Sequence, residues 1–156
     1  MKKIITAFAA LLFVASASAT EVIREYDFEG EFTPWKVWNN RQENKILDAN
    51  MAKDSKRAIE VRDGSFFDYH APKAKATYIL TADVKHMWGS NIPKIVAAGY
   101  DPEVQKLVDL KVVEVSMDKN YQKVTLKFKT KYPGYHRITF IPGGCIAVDN
   151  VKLVAQ

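Results

Sequence analysis

Aromatic side chains beside polar ones are the most informative chemistry in this sequence. Trp38 precedes Asn39-Asn40-Arg41-Gln42, Trp88 precedes Gly89-Ser90-Asn91, and Phe67-Asp68-Tyr69-His70 is expected to form an exposed loop of aromatic and polar residues. Aromatic faces stack on the C–H-rich faces of sugar rings, and amides or cations bond to the hydroxyls. The candidate glycan contacts are Trp38, Arg41, Tyr69, His70, Trp88, Asn91 and Tyr100. The alternative for each aromatic residue is packing in the core, where Trp and Tyr often lie, and we assign Trp35 to the core.

The residues give no motif for catalysis. The sequence has no Gly-x-Ser-x-Gly and no His-Glu-x-x-His, and its acids fall mainly in predicted turns. The one cysteine, Cys145, lies in an apolar stretch, so we expect a buried thiol and no internal disulfide. Glycoside hydrolysis needs two carboxylates across the scissile bond. The sequence does not exclude such a pair, but we expect a protein that is not an enzyme.

The N-terminus has the three regions of a secretory signal. Lys2 and Lys3 are followed by an apolar run over residues 4–14 and then by Ala15-Ser16-Ala17-Ser18-Ala19. This order predicts a signal peptide over residues 1–19, cleaved after Ala19. The apolar run is too short for a membrane span. The short n-region of Lys2 and Lys3 suits a bacterium, so we expect the protein in the periplasm or the medium. Export makes a nucleic-acid partner improbable.

The net charge further limits the classes of partner that the protein can have. Cleavage removes Lys2 and Lys3 and leaves 21 basic against 18 acidic residues, a net charge of +3. Lys123, Lys127, Lys129 and Lys131 share one face of a predicted strand. Two interpretations stay open: solvated charges that block pairing at a sheet edge, or a basic face for uronic or sulfated glycan chains.

The mature chain, residues 20–156, alternates apolar and polar residues in short runs separated by turn residues. The predicted strands cover residues 22–28, 33–38, 57–62, 77–85, 95–100, 123–130, 136–141 and 146–153. Residues 103–110 fit either a short helix or a strand. Eight or nine such strands in one domain predict an all-β fold, a two-sheet antiparallel β-sandwich of the jelly-roll type.

The order of several short motifs resembles the carbohydrate-binding modules of families 4, 9 and 22, which are built on the galactose-binding-like jelly roll. The resemblance rests on Asp27-Phe28-Glu29-Gly30 with Trp35, Asp54-Ser55-Lys56-Arg57-Ala58-Ile59-Glu60-Val61, Tyr78-Ile79-Leu80-Thr81-Ala82-Asp83-Val84-Lys85, Tyr121-Gln122-Lys123-Val124-Thr125-Leu126-Lys127-Phe128, and Val148-Asp149-Asn150-Val151-Lys152-Leu153. It covers nearly the whole mature chain. Tyr121 departs from the Trp of the family pattern, and residues 54–57 lack its Gly.

The resemblance implies a non-catalytic polysaccharide-binding module, expected to be monomeric, with a structural calcium ion. Its ligand positions fall on the side chains of Glu29, Asp54 and Asp149 and on the carbonyls of Asp27 and Arg57. Calcium prefers oxygen ligands and accepts irregular geometry. The alternative is that these carboxylates are solvated or bond local amides. A second functional hypothesis is a structural or adhesive module with a protein partner.

Overall fold

Strands dominate the structure because apolar residues alternate with polar ones along most of the chain. The structure is a computed structural model that describes residues 20–29, 35–37, 45–47, 52–53 and 57–156. The strands of these ranges are β1 (Glu21–Tyr26), β2 (Lys36–Val37), β3 (Lys45–Leu47), β4 (Ala58–Val61), β5 (Ser65–Ala71), β6 (Thr77–Trp88), β7 (Lys94–Asp101), β8 (Lys106–Glu114), β9 (Gln122–Lys129), β10 (Gly134–Ile141) and β11 (Cys145–Ala155).

The strands form two antiparallel sheets. Sheet A has the order β3-β4-β11-β6-β9, and β1 pairs with the second half of β11. Sheet B has the order β2-β5-β10-β7-β8. The prediction of an all-β, two-sheet antiparallel sandwich is confirmed.

The core lies between the two sheets. Sheet A contributes Tyr78 and Leu80, and sheet B contributes Phe67, Ile138 and Phe140, all at most 2% exposed. The ring of Trp35 stacks on that of Phe140, with centroids 4.7 Å apart, so the assignment of Trp35 to the core is confirmed. Cys145 is fully buried, and burial raises its pKa to about 11, which leaves an unreactive thiol.

The secondary structure differs from the prediction in one segment and decides between two alternatives in another. Residues 67–70, expected in a loop, lie in β5, which pairs with β10 from Ser65 to Ala71. Residues 103–110 are not helical: β8 starts at Lys106 and pairs with β7. Both segments are strands because a neighbouring strand supplies their backbone hydrogen bonds, β10 for β5 and β7 for β8. The local sequence does not reveal these partners.

The described ranges contain no helix of the length and hydropathy that a membrane span needs. The predicted signal peptide, residues 1–19, lies outside the described residues.

Candidate functional site

The outer face of sheet B carries exposed aromatic side chains. Tyr135 of β10 and Tyr100 of β7 are 40% and 39% exposed. They lie one residue beyond the paired His136 and Gly99, so they are neighbours on adjacent strands. His70 of β5 is exposed and pairs with Tyr135 on the other side. Strand alternation thus places His70, Tyr135 and Tyr100 in one row across three strands.

Arg137 lies in the next row and is fixed by its neighbours. Its Nε donates to Asp68 Oδ1 at 2.8 Å, and its terminal nitrogen donates to the Tyr135 hydroxyl at 2.5 Å. The guanidinium lies 3.6 Å from the ring centroid of Phe66. Lys36 Nζ is 3.5 Å from the second oxygen of Asp68. Arg137 therefore presents its remaining donors from a rigid position beside Tyr135.

Asp68 is the carboxylate that pairs with both cations, Arg137 and Lys36, beside Tyr135. Partial burial alone would raise the pKa of Asp68, but hydrogen bonds from Arg137 and Tyr135 and the charges of Arg137 and Lys36 lower it below its ordinary value. Burial raises the pKa of Tyr135, and its contact with Asp68 adds to that shift. At neutral pH the two neighbouring rows therefore contain an ionised Asp68 and a neutral Tyr135 hydroxyl.

The expected glycan contacts separate into four groups. His70 and Tyr100 come together on sheet B. Trp38 and Arg41 lie outside the described residues. Tyr69 points the other way from His70: its ring is 3% exposed and packs between Tyr78 and His136, with centroids 5.6 and 5.4 Å away. Its ring has no open face for a sugar, because β5 is a strand and alternate residues enter the core.

Trp88 and Asn91 form the fourth group, at the connection between β6 and β7. Trp88 is 53% exposed and Asn91 is exposed. The backbone beneath them is tight, since a Cβ on Gly144 would lie 2.4 Å from the Trp88 carbonyl oxygen and one on Gly143 would lie 2.3 Å from the Asn91 carbonyl oxygen. This connection meets β7 at Lys94, roughly 20 Å along the strand from Tyr100. The structure therefore does not join it to the Tyr100 row.

Sequence reasoning missed Tyr135, Arg137 and the role of Asp68. The signal was present: in β10, Tyr135, Arg137 and Thr139 alternate with His136, Ile138 and Phe140. Asp68 was noticed only as part of the supposed loop. Its partner Arg137 is 69 residues away, and only the pairing of β5 with β10 brings the two together.

The residues expected to bind calcium lie around one segment of the chain. Glu29 Oε1 accepts a hydrogen bond from the Arg57 amide at 2.8 Å, and Asp149 Oδ2 accepts one from the Lys53 amide at 3.2 Å. Asp54 lies outside the described residues. Asp27 Oδ1 accepts a bond from the Glu29 amide. Two carboxylates thus bind the backbone just before and just after residues 54–56.

The described part of the chain does not by itself form a complete metal site. Within it, no three His, Cys, Asp or Glu side chains cluster closely enough to bind an ion. The donor chemistry nevertheless suits calcium, since Glu29, Asp149 and nearby carbonyls are all hard oxygen donors.

The comparisons with known proteins concern the fold. No protein-family model and no curated protein matches the chain. The CBM22-1 xylan-binding domain of Paenibacillus barcinonensis Xyn10C superposes with a TM-score of 0.70 at 13% identity, covering 90% of this chain and 97% of that one. The chain therefore has a carbohydrate-binding-module fold.

Two further structures support this fold. The CBM22-1–GH10 modules of Clostridium thermocellum endo-1,4-β-D-xylanase 10B, complexed with xylohexaose, give a TM-score of 0.67 at 16% identity over 87% of this chain. This chain spans only 28% of that protein. TmCBM61 in complex with β-1,4-galactotriose gives a TM-score of 0.55 at 18% identity, covering 80% of this chain and 90% of that one.

Proposed function

We propose that this protein binds a neutral polysaccharide, without catalysis, on the outer face of sheet B. The observation that carries the proposal is the row of exposed Tyr100, Tyr135 and His70 next to the fixed Arg137. The tyrosine rings offer apolar area for the faces of sugar rings, and Arg137 offers donors to hydroxyl oxygens.

The pairing of charges favours a neutral chain over an acidic one. Arg137 and Lys36 both contact Asp68, and Lys94 at the far end of the face lies 3.3 Å from Glu114. An anionic sugar would have to compete with these carboxylates. The structural neighbours include a xylan-binding domain and modules solved with xylohexaose and β-1,4-galactotriose, and we place β-1,4-linked chains first in a ligand screen.

Trp88 and Asn91 are a second candidate contact. Trp88 is more exposed than Tyr100 or Tyr135. The tight backbone beneath it leaves little backbone conformational entropy to lose on binding. A sugar held there would be separate from the Tyr100 row, so single variants distinguish the two locations.

The experiment is affinity electrophoresis of the purified protein in gels containing xylan, β-glucan, mannan, galactan or no polymer. We expect retardation by at least one neutral polymer, abolished by Tyr100→Ala or Tyr135→Ala. Val104→Ala is the matched control, because Val104 is 52% exposed and lies in the turn between β7 and β8.

Other outcomes have clear meanings. Loss of retardation in Trp88→Ala alone would move the site to the β6–β7 connection. Absence of retardation by every polymer would remove the proposal and favour the structural or adhesive alternative, in which a protein is the partner.

We further propose that the protein is exported after cleavage of residues 1–19 and that calcium stabilises it. The support for calcium is the pair Glu29 and Asp149, which bind the backbone on either side of residues 54–56. In this site Asp54 would add a third carboxylate, and the carbonyls of Asp27 and Arg57 would complete the oxygen ligands.

Calcium removal tests that part of the proposal. An ion that binds only the folded state raises its stability, so EDTA should lower the melting temperature and excess calcium should restore it. Glu29→Gln keeps the size of the side chain and should remove the response to calcium. An unchanged melting temperature after unfolding and refolding in EDTA would reject the site, because refolding also strips a tightly bound ion.

A further inference from the structure

A second charged surface lies on the opposite side of the sandwich from the proposed sugar site. In β9, Val124, Leu126 and Phe128 point into the core, so Lys123, Thr125, Lys127 and Lys129 face outward from sheet A. β9 is an edge strand of that sheet. Two lysines separated by one residue are about 7 Å apart along a strand. The row therefore presents lysines at three of its four outward positions.

Two other lysines of the sheets, Lys94 and Lys152, have acidic partners directly across the strands. Lys94 pairs in register with Glu114 and Lys152 with Glu25, with N–O distances of 3.3 and 3.0 Å. Lys131, expected on the β9 face, lies beyond the end of that strand and contacts Asp101 at 3.1 Å.

Lys127 and Lys129 are different. Their cross-strand neighbours are Ile79 and Thr77, and no carboxylate of the described residues lies within ion-pair distance of either ammonium group. Lys123 is 60% exposed and shares the buried Asp83 with Lys53. The outer face of β9 therefore has an excess of positive charge.

The β5–β6 connection adds Lys73 and Lys75 beside the end of β9. The Lys75 amide donates to the Thr130 carbonyl at 2.8 Å, and the Thr130 hydroxyl donates to the Lys73 carbonyl at 3.1 Å. Lys75 has a φ of 58°, a left-handed conformation that costs free energy for a residue with a Cβ. The loop is thus fixed against Thr130. We name Lys73, Lys75, Lys123, Lys127 and Lys129 the basic face.

We propose that the basic face binds an acidic polysaccharide, one with uronate or sulfate groups. The cations Lys123, Lys127 and Lys129 spread along about 20 Å of strand, and the last two have no acidic partner among the described residues. This arrangement fits a linear polyanion better than a single small anion. The hydroxyls of Thr77, Thr81 and Thr125 lie in the same outward rows and can bond to sugar oxygens.

Two alternatives explain the face less well. Lysines protect edge strands from pairing with other chains, which accounts for β9 but not for Lys73 and Lys75 on a loop fixed beside it. A membrane surface is less suitable because β9 and the facing residues Thr77, Ile79, Thr81 and Asp83 of β6 include no exposed aromatic side chain that could enter the headgroup region.

Calorimetric titration with polygalacturonate at low ionic strength tests the proposal. We expect binding that Lys127→Gln/Lys129→Gln weakens at least about tenfold, since each lysine near an anionic surface contributes roughly a factor of five. The matched control is Lys106→Gln/Lys111→Gln, which removes the same charge from exposed positions of β8. Binding should fall steeply with added NaCl, which screens the charges.

Further variants make the result specific. Lys73→Gln should weaken binding although it leaves β9 intact. Tyr100→Ala/Tyr135→Ala should bind polygalacturonate normally, which separates this face from the proposed sugar site on sheet B. Thermal melts check that each variant is folded.

Two results would each overturn the proposal: no binding of polygalacturonate, and equal weakening by the β9 and β8 double variants. If phosphatidylglycerol vesicles bind where polygalacturonate does not, the basic face is a membrane-binding surface instead.

Discussion

Arg137 is a single residue whose neighbours determine what the sheet B face can recognise. Asp68 and the Tyr135 hydroxyl use two sides of its guanidinium, and the Phe66 ring lies beneath it at 3.6 Å. Arginine fits this place because its donors form a planar fork, whereas lysine has one ammonium group at the end of a flexible chain.

Arg137→Lys should therefore weaken polysaccharide binding while keeping the charge. We expect about a fivefold to tenfold rise in Kd, because the donors of a lysine all lie on one nitrogen and do not reproduce the spread by which Arg137 reaches Asp68 and Tyr135 and still presents a donor to a sugar. Calorimetry with the polymer found in the screen measures the change, and thermal melting checks that the fold is kept. An affinity equal to that of the parent protein would show that Arg137 does not contact the ligand.

Residue positions were predictable from the sequence where alternation was unambiguous. Trp35 and Cys145 are buried as expected, and Tyr100 is exposed. The prediction that Tyr69 is an exposed loop residue was wrong. The polar neighbours Asp68 and His70 made the segment look like a loop, although Phe67, Tyr69 and Ala71 form the buried side of β5. The fixed geometry of Arg137 was not predictable, since its partner Asp68 comes from a strand 69 residues earlier.

At the level of elements, a side chain of β10 lies against a glycine of β7 at one register pair. Gly99 and His136 are register partners, and a Cβ on Gly99 would lie 2.7 Å from His136 Nε2 and 2.8 Å from Cδ2. The imidazole is 1% exposed, and its Nδ1 lies 2.9 Å from the Gly134 carbonyl oxygen. The ring therefore occupies space that any side chain at position 99 would need.

Gly99→Ala should destabilise the protein by about 1–3 kcal/mol, the usual effect of overpacking a buried site. Urea unfolding measures the change. The double variant Gly99→Ala/His136→Ala should lose less stability than the sum of the two single variants, since the added methyl group then fills part of the space left by the imidazole. Additive effects would show that the two residues do not compete for this space.

Strand positions came from local patterns, but sheet order did not. The alternation of residues 77–85 and 123–130 predicted β6 and β9 well. The ambiguity of residues 103–110 reflects β8 itself, an edge strand whose register with β7 shifts between Ala97 and Ala98. Which strands pair depends on contacts between distant segments, so the faces that carry Arg137 or the lysines of β9 could be assigned only from the structure.

At the level of the whole molecule, two histidines are buried on the inner sides of the sheets. His86 of β6 is 2% exposed, and its Nε2 has no hydrogen-bond partner among the described residues. Burial and the nearby Lys119 lower the pKa of His86, and burial with a smaller effect of His70 lowers the pKa of His136. Both side chains are thus neutral in the folded protein at pH 7.

These shifts make folding stability depend on pH with a definite sign. In the unfolded chain histidine takes up a proton near pH 6.5, whereas the buried imidazoles resist it. Between that pH and the lower folded-state pKa values the unfolded state binds more protons, so acid favours unfolding. The lowered pKa of Asp68 acts in the same direction only below about pH 4, so the two effects occupy separate ranges.

We therefore expect the melting temperature to be nearly constant above about pH 7 and to fall as the pH is lowered from 6.5 to 5. Differential scanning calorimetry across this range measures the slope. His86→Gln and His136→Gln keep a neutral polar side chain at each site, so each should flatten the slope. His70→Gln is the control, because His70 is exposed and should leave most of the slope in place. A slope that survives in the double variant His86→Gln/His136→Gln would assign the acid sensitivity to other groups.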